Sequence, residues 1–410
     1  MEVVYPRCCG LDIHKRTVVA CRIVPGPDAR PQKDVRTFGT MTDDLLALAD
    51  WLADAGVTHA ALEATGVYWQ PLWNLLEDRF ALLLVNAAHV RQVPGRKTDV
   101  KDAEWLADLL RHGLLRASFV PPRPQRELRE LTRYRTSLVR ERSREANRIQ
   151  KTLEGANLKL GDVASNVLGV SGQAILRALV AGTTDPAALA DLARGRLRDK
   201  RADLERALAG AVGPHQRFLL GEQLRHLAAL DDAIARVSAE IAARVRPVAA
   251  ALEALDTIPG VARRTAEALV AEVGTDLTRF PSAAHLASWA GLCPGNHQSA
   301  GKRQSGRTRK ANPWLRAALT EAAQGAGRTK QTYLGAQYRR LAARRGAKRA
   351  AIAVGHSILV IAYHLLTTGE VYTDLGPNYF DERARDAVQR RLVRRLEALG
   401  YTVQLQRPAA

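Results

Sequence analysis

Two acids three residues apart, Asp99 and Asp102 in the stretch Gly95-Arg96-Lys97-Thr98-Asp99-Val100-Lys101-Asp102-Ala103, carry the first chemical signal in the chain. Thr98 suits a helix N-cap, and Trp105, Leu106, Leu109 and Leu110 follow with helical spacing. The two carboxylates therefore share a helix face, where they repel each other and resist ionisation unless a cation sits between them. A hard divalent ion such as Mg²⁺, which takes a few carboxylates and keeps water and phosphate oxygens, satisfies such a pair. Taken alone, the pair fits an acidic first turn that complements the helix dipole better than it fits a metal site. Further acids must converge on it before it signifies a site. Two candidates end short apolar segments: Asp12 after Cys8-Cys9-Gly10-Leu11, and Glu63 after His59-Ala60-Ala61-Leu62. Acids at strand ends of an α/β sheet are placed to share one or two metal ions.

The elements that would position these acids can be read in order. Residues 8–24 and 34–39 alternate as strands of an antiparallel hairpin or meander. A helix follows over 42–55, with Leu45, Leu46, Leu48, Trp51 and Leu52 on its apolar face. A strand ends at Glu63, a helix covers 69–76, and the continuous apolar run 80–86 reads as a buried strand. The order βββαβαβα predicts a mixed sheet flanked by helices.

A Pro-rich stretch, Pro121-Pro122-Arg123-Pro124, closes this part. A long helix is expected from Gln125, with Leu128, Leu131, Tyr134, Leu138, Ile149 and Leu153 as its stripe and nine arginines between positions 123 and 148. After a variable stretch, Leu220, Leu224, Leu227, Leu230, Ile234, Val237 and Ile241 recur at near-heptad spacing. Two such helices can pair within the chain or across a dimer, and their arginines can serve structure or grip nucleic acid. Residues 255–261 followed by a helix over 263–272 have the form of a helix-hairpin-helix, whose turn offers backbone N–H groups to phosphate. A helix over 280–290 precedes a Gly-, Ser- and base-rich loop at 291–307, in which Ser299 and Ser305 are candidate phosphate ligands or nucleophiles.

The chain has 410 residues, enough for several cores, and a formal charge of +19. Such an excess points to a polyanion, with nucleic acid as the default partner. Residues 302–349 hold fourteen Lys/Arg against the single acid Glu321. Cys8, Cys9, Cys21 and Cys293 form no metal-binding or disulfide pattern and read as reduced thiols of a cytoplasmic protein. No signal peptide is expected. The apolar run at 350–366 contains His356 and His364 and is expected to be a buried helix, with no membrane association.

The combination Gly10-Leu11-Asp12-Ile13-His14-Lys15, Leu62-Glu63-Ala64-Thr65-Gly66 and Lys97-Thr98-Asp99-Val100-Lys101-Asp102-Ala103 resembles the DEDD-type insertion-sequence transposases. The resemblance implies α/β plus α architecture: a RuvC-like, RNase H-type domain over 1–120, a helical coiled-coil-like region over 121–250, a mainly helical transposase domain over 251–380, and a tail over 381–410. It implies that Asp12, Glu63, Asp99 and Asp102 bind Mg²⁺, with Mn²⁺ as a substitute. The family's nucleophilic serine, shortly before a Gly-Lys pair and a Leu-Arg helix, falls on Ser299, with Ser305 as second choice. Lys302, Arg303, Arg307, Arg309, Lys310 and Arg316 would then face nucleic acid. The chain departs from the family at Ala311-Asn312-Pro313, where related sequences commonly carry a glycine. The implied partners are donor and target DNA, a structured guide RNA from the element, and further copies of the chain in an oligomer with composite active sites. A related DNA invertase, a RuvC-like nuclease using water as nucleophile, and a non-catalytic DNA binder remain as alternatives.

Overall fold

The computed structural model describes residues 2–26, 30–63, 66–86, 99–295, 297–308 and 311–406, without the side chains of 99, 297–299, 303 and 304. The chain divides into two compact units, residues 1–123 and 124–410.

The first unit is built on a five-stranded sheet: β1 (Cys8–Ile13), β2 (Thr17–Pro25), β3 (Pro31–Gly39), β4 (His59–Glu63) and β5 (Ala81–Val85). The spatial order is β3-β2-β1-β4-β5. The first three strands form an antiparallel meander, and β4 and β5 extend β1 in parallel. Helices α1 (Thr42–Asp54), α2 (Trp69–Leu76) and α3 (Asp99–Arg111) complete it.

Strand alternation divides the side chains of β1 between two cores. Cys9, Leu11 and Ile13 pack with Leu48, Leu52, Leu72 and Leu76 of α1 and α2. Leu46, expected on the apolar face of α1, is exposed, because that helix buries its 45/48/49/52 stripe instead. On the other face Cys8, Cys21, Ile23, Ala61 and Val85 pack with Ala103, Leu106, Ala107 and Leu110 of α3. Small residues lead this stripe because α3 lies tight on the sheet. A Cβ at Gly10 would stand 2.3 Å from the Ala103 carbonyl oxygen and 2.5 Å from the Ala107 nitrogen. The thiols are embedded here, and burial pushes Cys8 and Cys21 up to about 12. They are inert fillers at neutral pH.

The second unit is helical. α4 (Arg123–Gly155) and α5 (Pro214–Arg244) form an antiparallel hairpin within the chain. Leu138 packs with Leu230 and Ile234 midway, while Arg244 reaches Glu127 near one end and Thr152 reaches Gln223 near the other. α4 starts two residues ahead of the expected Gln125, since Pro124 is tolerated in a first helical turn. The stretch from 156 to 212 folds into short helices that cap the hairpin tip around Leu158, Leu160, Ile175, Leu176 and Leu204. At the base, Leu128, Ile241 and Val245 enter a core shared with α6 (Ala249–Asp256), α7 (Arg263–Val273), α8 (Pro313–Arg328) and α10 (Ala347–Thr368). Between α8 and α10 lies α9 (Tyr333–Arg345).

α10 runs for 22 residues, longer than its apolar sequence implies, because Lys348 and Arg349 form its first turn. Its length and hydropathy would allow a membrane span, but Val354, Ile358, Leu359 and Ala362 are buried in the shared core. The turn at Ile258-Pro259-Gly260 also finds its reason in packing. A Cβ on Gly260 would meet the Ala322 carbonyl oxygen at 2.2 Å, so this glycine allows α8 to approach.

Candidate active site

The geometry of the acids follows from register. β1 and β4 pair in parallel with Cys8 opposite His59 and Leu11 opposite Leu62. One step further along both strands stand Asp12 and Glu63, neighbours across about 4.8 Å of backbone spacing. Even positions of β1 and odd positions of β4 face α3, since Cys8 and Ala61 belong to its core. Asp12 and Glu63 therefore rise from one edge of the sheet on the face that α3 covers.

α3 runs antiparallel to β1. The Cys8 thiol donates to the Ala107 carbonyl at 3.6 Å, and Gly10 lies beneath Ala103 and Ala107. Moving two residues up the strand, about 7 Å, corresponds to moving one turn back along the helix, about 6 Å. That turn begins with Asp99. The start of α3 thus lies toward Asp12, and Asp102 sits one turn before the sheet-facing Leu106. Asp12 is buried at 7% exposure, whereas Glu63 and Asp102 are half-buried. The Asp99 side chain lies outside the described residues. Among the described residues, no set of three His, Cys, Asp or Glu side chains is already drawn in to metal-binding distance. The donor set at this edge is all carboxylate, which fits a hard cation. His14 Nε2 stands 3.2 Å from Asp12 Oδ2, a neighbour that sequence reasoning did not single out, although His14 follows Asp12 by two residues on the same strand-end pattern.

The loop expected at 291–307 is a hairpin. β6 (His297–Ser299) and β7 (Lys302–Ser305) pair with Ser299 opposite Lys302. Ala300 at φ 48° and Gly301 at φ 75° form the two-residue turn, since positive φ at both central positions gives the hairpin twist. An alanine in this conformation carries a steric cost that glycine would not. The Ser299 and Arg303 side chains, and Arg309 and Lys310 altogether, lie outside the described residues. Lys302 is exposed beside the turn. The Ser305 hydroxyl accepts from the Arg307 N–H at 3.2 Å. Asn312, in the stretch Ala311-Asn312-Pro313, caps α8 by accepting from the N–H groups of Trp314 and Leu315 at 3.0 and 3.1 Å. Its amide donates to buried Glu272.

The residues at the base of this hairpin, Pro294, Gly306, Arg307 and Thr308, line an open cleft of about 1220 Å³ together with Arg316 and parts of α9 and α10. Sequence reasoning noted the basic run but missed that Arg344, Arg345, Lys348 and Arg349 converge here. The signal available was the spacing of Arg349, Ala353 and His356 along one side of α10.

The arginines of α4 behave otherwise. Arg133 makes a bidentate pair with Glu272 at 2.7 and 2.8 Å, and Arg135 donates to Glu267 at 2.7 Å. Arg129 donates to the Ala271 carbonyl, and burial pulls its guanidinium down to about 10 against the opposing pull of Glu272. Arg142 pairs with Asp231 and Arg148 with Glu145. Arg129, Arg133 and Arg135 thus tie α4 to α7, Arg142 ties it to α5, and Arg148 pairs within α4, so of the two roles open to these arginines the structural one describes these five.

Two family profiles match the chain. One, described as a transposase of the DEDD IS110 type, covers residues 9–158; the other, described as the IS116/IS110/IS902 transposase family, covers 252–339. The 44.8 kDa protein of insertion element IS116 from Streptomyces clavuligerus is 31% identical over 52% of the chain, which spans 60% of that relative. A probable family 20 transposase from Pseudomonas aeruginosa is 26% identical over 76% of the chain and 85% of its own length. The 43.6 kDa protein of insertion element IS110 from Streptomyces coelicolor is 34% identical over 49% of the chain and 53% of its own length.

Proposed function

The chain belongs to the IS110/IS116/IS902 family of insertion-element transposases, and from that premise we propose that it is a DNA recombinase that cuts and rejoins strands through a serine-linked intermediate. The observation that carries the proposal is the convergence of Asp12, Glu63 and the start of α3 on one sheet edge. In this reading Asp12, Glu63, Asp99 and Asp102 hold Mg²⁺, or Mn²⁺ in its place. Bound there, the ion supplies Lewis-acid polarisation of a scissile phosphate. The buried Asp12 is fixed by the strand, and the helix that carries Asp99 and Asp102 is fixed by its contact at Gly10.

Ser299 supplies the nucleophile. Its Oγ bonds to the scissile phosphorus, the bond from phosphorus to one bridging DNA oxygen breaks, and the hydroxyl proton ends on the released oxygen. Rejoining reverses the exchange with a different DNA hydroxyl, so no external energy source enters. Lys302 and Arg307, with Arg303, offset the negative charge on the phosphoryl oxygens in the transition state. The formal charge of +19 suits two polyanions, the DNA and an element-encoded structured RNA that selects it. Several copies of the chain would act together.

Incubation with Mg²⁺ and element-end DNA tests this reading. A covalent protein–DNA adduct is expected, absent in Ser299→Ala and in Asp12→Asn. Cleavage that persists in Ser299→Ala without an adduct would replace the recombinase with a water-using nuclease.

A further inference from the structure

The cleft at the base of the β6–β7 hairpin has no counter-charge in its lining. Arg307, Arg316, Arg344, Arg345, Lys348 and Arg349 line it, and no Asp or Glu does. Among the described residues none of these six makes an ion pair, although Arg340, on the same helix as Arg344, is paired with Asp381. Six cations held around one cleft without an acid repel one another, and that arrangement is stable in use only with a polyanion between them.

The floor of the cleft is not charged. Leu292, Pro294, Leu341, Ile352 and Ala353 form an apolar surface between the cations. A duplex presents phosphate to such a surface and hides its base faces, so it would leave the floor unused. An unpaired strand can lay bases on the floor while its phosphates meet the rim. The floor also carries hydrogen-bonding groups in a defined sense. Ser357 Oγ donates to the Ala353 carbonyl at 3.3 Å and so accepts from Gln337 Nε2 at 3.0 Å. That chain orients the amide and leaves Gln337 Oε1, a buried acceptor, with no partner among the described residues. Phosphate offers it no donor, whereas a ribose 2′-hydroxyl or an exocyclic base amine does.

We infer that this cleft seats an unpaired segment of nucleic acid, phosphates on the six cations and base or ribose against the floor at Gln337. The inference rests on the recombinase reading for its setting but not on the serine or the acids, since the cleft needs no metal. It is tested by fluorescence anisotropy in EDTA with labelled 12-nucleotide dT, dC and U strands and a 12-base-pair DNA duplex. The proteins are the full chain and two triple variants. One is Arg344→Gln/Arg345→Gln/Arg349→Gln, and the other is a charge-matched control on the exposed helix at Arg385–Glu397, Arg390→Gln/Arg394→Gln/Arg395→Gln. The cleft variant is expected to bind all three strands roughly tenfold or more weakly, with the salt slope reduced by about 0.7 per cation removed. The control should lose less than about twofold, and the wild type should prefer strand to duplex. Gln337→Leu should weaken at least one strand: loss with U alone identifies a 2′-hydroxyl as the donor, loss with dC alone the exocyclic amine, and loss with U and dT together the ring N3–H that those two bases share.

Unchanged strand binding in the cleft variant, or cleft-dependent binding that favours the duplex, overturns the inference. So does equal binding of all strands by Gln337→Leu, as regards the floor. Photocrosslinking of a 4-thiouridine strand to the unmutated protein should label peptides that line the cleft, within 292–316 or 337–357, and labelling confined elsewhere would also overturn it. Adduct formation is read separately, so loss of the adduct with strand binding intact would sink the recombinase and leave the cleft standing.

Discussion

Two arginine-rich regions of the second unit, α4 and the cleft between the hairpin base, α9 and α10, look alike in sequence and differ in what surrounds them. On α4 the guanidinium groups meet Glu267, Glu272, Asp231 and Glu145. In the cleft the cations meet one another and an apolar floor. The first set joins helices and the second awaits a ligand. A count of bases cannot separate the two, because most of the acids that neutralise α4 are distant in sequence: Glu272 is 139 residues from Arg133, and only Glu145 is local.

The comparison is broken most severely through its buried acids. Replacing Glu272, which is 1% exposed and holds Arg133, Arg129 and Asn312, by Ala strands buried positive charge and should cost about 3–5 kcal/mol in denaturant unfolding. If unfolding moves by less than about 1 kcal/mol, α4 is not held by this cluster. Gly10→Ala comes next. The new methyl must displace the α3 backbone, a cost of roughly 1–3 kcal/mol, and DNA cleavage should fall further than stability because Asp102 moves with the helix. Equal activity at equal fold would uncouple α3 from the acid edge.

Smaller effects sharpen the contrast. Arg344→Ala should leave the unfolding midpoint within about 0.5 kcal/mol of the wild type while weakening strand binding, the reverse of the pattern expected for Arg135→Ala, whose loss leaves Glu267 buried. Arg142→Ala should cost under about 1 kcal/mol, since that pair is partly exposed. The smallest effect concerns His356, whose pKa burial lowers. Below the ordinary histidine value of about 6.5 the unfolded chain takes up a proton that the folded chain resists, so stability falls on acidification. His356→Gln should flatten that slope, seen by comparing urea midpoints at about pH 5.5 and pH 7.5.

Much of the first unit was legible because its signals are local. Alternation along residues 8–13 and 59–63 placed the strands, and the acids at their ends fall on one face once register is known. The stripe on α3 was only half legible: Trp105 points outward and Ala103 and Ala107 face the sheet, because Gly10 admits a close approach that no periodicity announces. The β6–β7 hairpin was read as loop because its turn places an alanine at positive φ, against local preference. The turn at 258–260 has the form of a phosphate-binding hairpin or a plain helix connection in sequence, and what the sequence does not announce is that Gly260 also admits the α8 backbone. At α3 and Gly260 a long-range contact decided what local propensity left open.

The central claim is that distant carboxylates gather at the edge where β1 and β4 end. Calorimetric titration with Mn²⁺ tests it without DNA: saturable binding is predicted for the wild type, and its loss in both Asp12→Asn and Asp102→Asn, with the fold intact by circular dichroism. Undiminished Mn²⁺ binding in either variant would contradict the convergence of these acids.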